Sequence, residues 1–125
     1  MGTANAQMWK STSLSVERKA GAEIGTVVIA LSGPLTARDV YGSVSPRVFR
    51  SILEPRADEG RPEAQIIDIS GVPYVDSAGL GLIVQHFTWC RSNGVNMTVV
   101  GAGKRVLEQF RLMKMDGLIP MSRQE

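Results

Sequence analysis

The sequence predicts a single-domain α/β fold, built on a mixed sheet of four or five strands packed with helices. Three observations carry that expectation. Two extended stretches near the N-terminus are separated by a tight turn, the pattern of an antiparallel pair. Further on, short apolar runs alternate with segments of helical period, the pattern of parallel β-α-β units with right-handed crossovers. The length, 125 residues, suits one domain with a proper core.

Leu14 to Lys19 alternates apolar and polar positions and reads as a strand, with Ala20-Gly21 as a turn. Gly25 to Leu31 is rich in β-branched residues and forms the second strand, closed by Ser32-Gly33-Pro34. Thr36-Ala37-Arg38-Asp39 has capping-box spacing, with Asp in the acidic place. Gly42 and Pro46 interrupt any helix that begins there. Ser45-Pro46 supplies a fresh N-cap and a first-turn proline. A helix is therefore expected from about Pro46 to Leu53, burying Val48, Phe49, Ile52 and Leu53. Residues 54–63 hold two prolines, one glycine and six charged side chains, the composition of an exposed loop.

Ala64 to Ile69 is the central strand, and its near-continuous apolarity (Ile66, Ile67, Ile69) predicts burial on both faces. Leu80, Ile83, Val84, Phe87 and Cys90 step by three and four, which predicts a helix over Leu80 to Arg91 with one buried stripe. His86 falls on the flank of that stripe and is expected to be partly exposed. Ser92-Asn93-Gly94 ends the helix, with Gly94 free to take the left-handed conformation. Met97 to Val100 is the next strand. Gly101-Ala102-Gly103 turns into a last helix from Lys104 to about Lys114, burying Val106, Leu107, Phe110 and Met113. Leu118-Ile119 adds a short final strand. Residues 1–13 read as a flexible N-terminal segment, 14–121 as the domain and 122–125 as a tail.

Composition narrows the function. Apolar residues make up 43% and charged residues 21%, ordinary for a soluble globular protein. The net charge of +2 is too small and too mixed for nucleic-acid binding, which needs a concentrated basic face. The single cysteine, Cys90, allows no intrachain disulfide and fits a reducing compartment, so a cytoplasmic location is expected. No apolar run approaches membrane-spanning length, so no membrane insertion is expected. Met1 to Gln7 lacks the apolar core of a signal peptide.

Asp76-Ser77-Ala78-Gly79-Leu80-Gly81 is the most informative stretch. It places a serine where a loop enters a helix. Ser is a favoured N-cap, because its oxygen accepts a bond from an orphan first-turn N–H. The same N–H groups and the positive end of the helix dipole would welcome a phosphate on that oxygen. Ser77 is thus a cap, a phosphorylation switch or a nucleophile. The nucleophile reading lacks a partner: a Gly-x-Ser-x-Gly elbow would need glycine where Val75 stands, and no histidine lies near in sequence. No catalytic, cofactor-binding or metal-binding residue is assigned. His86 and Cys90 leave the rest of a metal-ligand set unnamed. Gly101-Ala102-Gly103-Lys104-Arg105 fails as a phosphate loop, since Thr98 and Arg105 stand where Gly and Ser or Thr are needed, and Val106 breaks a dinucleotide fingerprint.

From Ile66 to Val84 the chain resembles the hallmark of the sulfate transporter and anti-sigma factor antagonist (STAS) domains. That hallmark is an apolar strand carrying an Asp (Asp68), a short connector, then Asp-Ser-small-Gly-apolar-Gly entering a helix. Gly94 to Gly101 resembles the family's next strand and Gly103 to Gly117 its next helix. The similarity is greatest to the free-standing bacterial anti-sigma factor antagonists. It implies that Ser77 is the phosphoacceptor, with Thr36, Tyr74, Asp76, Ala78, Gly79 and Leu80 at the partner surface. Gly79 would keep the helix entrance open. It implies two partners, an anti-sigma factor that doubles as a serine kinase and a metal-dependent serine phosphatase. The unmodified antagonist binds the anti-sigma factor and phosphorylation releases it. The alternative within the same family is a constitutive scaffold subunit of a stress-sensing or membrane-transport complex. This chain departs from the family pattern at Gly33-Pro34-Leu35-Thr36, where Gly-acidic-Leu-Asp is usual, and its stretch from Tyr41 to Arg61 is long and broken. Oligomeric state is left open.

Overall fold

A computed structural model of the protein describes residues 7–10, 14–38, 53 and 62–122. They form strands β1 (Gln7–Lys10), β2 (Ser15–Ala20), β3 (Thr26–Ser32) and β4 (Ala64–Gly71), helix α1 (Ser77–Ser92), strand β5 (Asn96–Val100), helix α2 (Lys104–Leu112) and strand β6 (Met121–Ser122). The strands lie side by side in chain order in one sheet. β1–β2 and β2–β3 are antiparallel; β3–β4, β4–β5 and β5–β6 are parallel. The α/β class, the antiparallel N-terminal strands and the parallel β-α-β units are those the sequence predicts.

Four details depart from the sequence reading. Gln7–Lys10, assigned above to a flexible segment, pairs with residues 15–18 of β2. Four residues are too few to show a period, so this edge strand is defined by its partner. The final strand is Met121–Ser122 rather than Leu118-Ile119, because the chain needs a turn over residues 116–118 before it reaches β5. β4 is buried on one face only: Gln65, Ile67 and Ile69 are buried, while Ile66 and Asp68 are half-buried. Parallel strands laid down in one direction with crossovers of one hand place their helices on one side of the sheet. Accordingly Leu80, Leu82 and Ile83 of α1 and Val106 and Phe110 of α2 share one core cluster with Val16, Ile29, Leu31, Ile67, Ile69, Met97 and Val99. Lastly, the buried stripes of the helices differ: that of α1 runs through Gly79, Leu80, Leu82, Ile83, His86 and Cys90, with Val84 and Phe87 half-buried, and α2 buries Val106 and Phe110 while Leu107 is half-buried and Met113, just past its end, is exposed. The expected helix from Pro46 lies outside the described residues except for Leu53, which is helical and buried against the core.

The site is positioned by what happens beyond the strand ends. A register shift between Ala30 and Ser32 brings Ser32 opposite Gly71. A methyl on Gly71 would press on the Ser32 hydroxyl and crowd Leu31 O, so glycine eases the close approach of the two strands there. The two chains then run on together: Gly33 N–H donates to Gly71 O (2.9 Å) and Leu35 N–H to Tyr74 O (3.2 Å), and Leu35 bridges Val75 in parallel fashion. Gly33, at φ +102°, makes the turn that keeps the β3 exit beside the β4 exit.

Candidate functional site at the entrance of helix α1

Asp76, not Ser77, caps α1. Its backbone is extended (φ −115°, ψ −176°) and its Oδ1 accepts from Gly79 N–H at 2.9 Å. Asp is as good an N-cap as Ser, and both stand at the loop-to-helix junction, so local preference alone does not separate them. The neighbouring loop does. Asp76 Oδ2 accepts a second backbone bond, from Ala37 N–H at 2.9 Å, and Asp76 N–H donates to Leu35 O. Ala37 and Arg38 are themselves helical. One carboxylate therefore caps two helix entrances that are 39 residues apart in sequence, one oxygen to each.

Ser77 becomes the first residue of the helix, and its side chain is exposed. By helix geometry the N–H groups of the first turn are directed out of this end. Tyr74 is exposed three residues earlier, with the Arg105 guanidinium 4.8 Å above its ring, a cation–π contact that ties α2 to the loop. Thr36 and Ala78 are half-buried beside this surface. Thus Ser77, Asp76, Tyr74, Ala78 and Thr36 are gathered around one helix entrance.

Two of the residues expected at the partner surface are placed elsewhere. Leu80 is buried in the core. Gly79 is buried too, and a methyl at its Cα would run into the carbonyl oxygen of Leu35. Its lack of a side chain lets the Leu35 loop lie directly on α1, and does not hold the entrance open. These two residues support the site from behind. Leu35 and Ala37 are the functional neighbours that sequence reasoning missed. The signal available was Gly33 followed by a capping-box pattern, which marks a turn but not its contact 39 residues away.

Among the described residues, the hydroxyl of Ser77 has no activated base beside it. Both oxygens of Asp76 are engaged by backbone N–H groups. His86, nine residues along the helix and so roughly 13 Å further on, is buried, which corrects its expected partial exposure. Its Nε2 lies 2.6 Å from Gln65 Oε1 and 3.4 Å from Cys90 Sγ, and its ring stacks on Trp89. Gln65 donates its amide to Leu53 O (3.0 Å). Its Oε1 therefore faces the histidine, and the neutral ring carries its proton on Nε2. Burial, and then the charge of Arg18, lowers the His86 pKa from 6.5 to about 4.

The double cap makes a testable separation. Asp76→Asn keeps one oxygen, enough for only one of the two N–H groups, and turns its amide group toward the other, where no acceptor remains. The expected loss of stability is about 1 kcal/mol, with that of Asp76→Ala nearer 2 kcal/mol. Amide hydrogen exchange in the Asn variant accelerates far more at one of the two amides, Ala37 or Gly79, than at the other. Equal acceleration at both amides would show that the two caps are not separate bonds.

Comparison with known proteins agrees with this geometry. The STAS domain family model matches residues 3–125. The structure is similar to that of an anti-sigma factor antagonist from Mycobacterium paratuberculosis (21% identity, 87% of this chain and 85% of that chain, TM-score 0.65). It is also similar to a sulfate transporter family protein from Wolinella succinogenes (16%, 84% and 83%, TM-score 0.66). A third similar structure is the anti-sigma factor antagonist SpoIIAA in its unphosphorylated form (16%, 94% and 87%, TM-score 0.60). At these identities the structural likeness speaks to the fold alone. No curated protein sequence matches the chain. The family match spans nearly the whole length, over a sheet and helix-entrance motif of the expected kind, and the chain belongs to the STAS-domain family.

Proposed function

We propose that this protein is an anti-sigma factor antagonist, a non-enzymatic binding module whose partner is an anti-sigma factor with serine kinase activity. Binding is switched off by phosphorylation of Ser77 and restored by a serine phosphatase. The observation that carries this reading is the exposed Ser77 hydroxyl at the first position of α1, on an entrance held rigid by Asp76. The similarity to two anti-sigma factor antagonists supports it. A cytoplasmic location follows from the role, and no described helix is long and apolar enough to cross a membrane.

The switch works without refolding the domain. A phosphate adds about −1.5 to −2 charges and three acceptor oxygens. At a helix N-terminus the fold tolerates it, through the first-turn N–H groups and the dipole. Against a partner it must be desolvated beside the Asp76 carboxylate. A standard interface takes about 800 Å² from each side, a small share of the 7316 Å² this domain exposes. One face centred on Ser77, with Tyr74, Ala78 and Thr36 around it, is large enough.

Incubation with the cognate kinase and ATP, followed by peptide mapping, should place the phosphate on Ser77. Phosphate on Thr36 or Ser70 instead would reject the assignment. Ser77→Asp is expected to weaken binding of the unmodified partner at least tenfold, about 1.4 kcal/mol, with a melting temperature close to that of the parent. Undiminished affinity of both the phosphorylated protein and Ser77→Asp would favour the scaffold reading, which the likeness to a sulfate transporter family protein keeps in view.

A further inference from the structure

The outer face of α2 has a composition that neither the core nor the Ser77 entrance uses. Val106 and Phe110 point inward and are buried. Lys104, Arg105, Glu108 and Arg111 are exposed and line an open depression of about 340 Å³. Three cations to one anion make this wall basic. Leu112 follows on the same face at 71% exposure, and Met113 and Leu118 just beyond are 44% and 45% exposed. Large apolar side chains exposed beside charged ones mark interaction surfaces. At the other end Arg105 is held on the Tyr74 ring.

The geometry points to a docking surface for an acidic amphipathic helix of a partner protein. That helix would lay apolar residues onto Leu112 and Met113, and carboxylates against Lys104, Arg105 and Arg111. α2 is nine residues long, about 13 Å, so a partner helix of three to four turns covers it and reaches the apolar end. A docked helix is read through its spaced apolar anchors, and charge complementarity sets orientation and specificity. A nucleic acid fits less well: Glu108 sits among the cations, the apolar share is large, and the chain carries a net charge of only +2. The surface adjoins the Ser77 entrance through the Arg105–Tyr74 contact, and the inference does not depend on whether Ser77 is modified.

The test uses the full chain and two labelled 14-residue helical peptides with the same Leu positions, one with Glu and one with Lys at the remaining sites. Fluorescence anisotropy should show the Glu peptide binding at least tenfold more tightly than its Lys twin, and weakening as salt is raised. The double variant Arg111→Glu/Leu112→Glu should lose at least tenfold, while Ile24→Glu, an exposed position on the β2–β3 turn, should match the parent. Equal binding of the two peptides, binding of neither, or an unaffected double variant would each overturn the proposal. So would tighter binding of a 20-nucleotide single strand than of the Glu peptide. Sedimentation showing a dimer that Leu112→Glu dissociates would also overturn it, assigning the face to a second copy of this chain.

Discussion

Gly79→Ala is expected to destabilise the domain by about 2 kcal/mol, although helix propensity favours alanine there by about 1 kcal/mol. The added methyl would overlap the Leu35 carbonyl oxygen and lie 2.8 Å from Leu35 C and 3.1 Å from Leu35 Cγ. Leu35 cannot retreat cheaply. It is buried, bridged to Val75, and bonded through both its N–H and its carbonyl to the loop that leads into α1. Overpacking against fixed backbone costs roughly 1–3 kcal/mol or more, which outweighs the propensity gain. Gly81→Ala is the control, because a methyl there meets nothing within 4 Å; it should stabilise by up to about 1 kcal/mol. Urea denaturation of the three proteins measures both effects. A Gly79→Ala protein as stable as the parent would mean that the Leu35 loop does not lie on α1.

Stability should fall by about 2 kcal/mol between pH 7.5 and pH 5 through His86 alone. In the folded protein its pKa is about 4 against an ordinary 6.5. The sign follows from proton binding. Above pH 6.5 the ring is neutral in both states and contributes nothing. Between 6.5 and 4 the unfolded chain takes up a proton that the folded chain refuses, so stability drops as pH falls. Below 4 both states are protonated and the loss levels off near 3 kcal/mol, at about 1.4 kcal/mol per tenfold change in proton affinity. The groups around the ring explain the refusal: Arg18 from β2 repels the cation, and Gln65 from β4 offers its oxygen to a proton already on Nε2. His86→Leu should be less stable at pH 7.5, since Gln65 Oε1 loses its short bond from His86, but flatter between pH 7.5 and 5. Carboxylates titrate in both proteins, so the difference between the two profiles isolates His86. Parallel profiles would show that the ring is protonated without penalty.

Much of the fold was legible because it is written in short-range periodicity. Thr26–Ser32, Ala64–Gly71 and Asn96–Val100 stand within two residues of their expected bounds, and Gly94 takes the left-handed turn assigned to it, at φ +73°. Helix α1 begins three residues before the expected Leu80, since its first turn, Ser77-Ala78-Gly79, lacks large apolar residues to mark the period. β1 escaped because an edge strand of four residues carries no period of its own.

The candidate site divides along the same line. The Asp76-Ser77-Ala78-Gly79 motif determined, without any coordinates, which loop enters which helix and that a hydroxyl stands at the junction. Only the tertiary structure decided that Asp76 takes the cap, that Gly79 is a contact point for Leu35, and that His86 is a buried partner of Gln65. Each of those outcomes depends on a group far off in sequence: Ala37 is 39 residues from Asp76, and Gln65 is 21 from His86. A helix period or a capping preference reaches four residues along the chain. The register of β3 against β4, and of α1 against the sheet, sets everything beyond that distance.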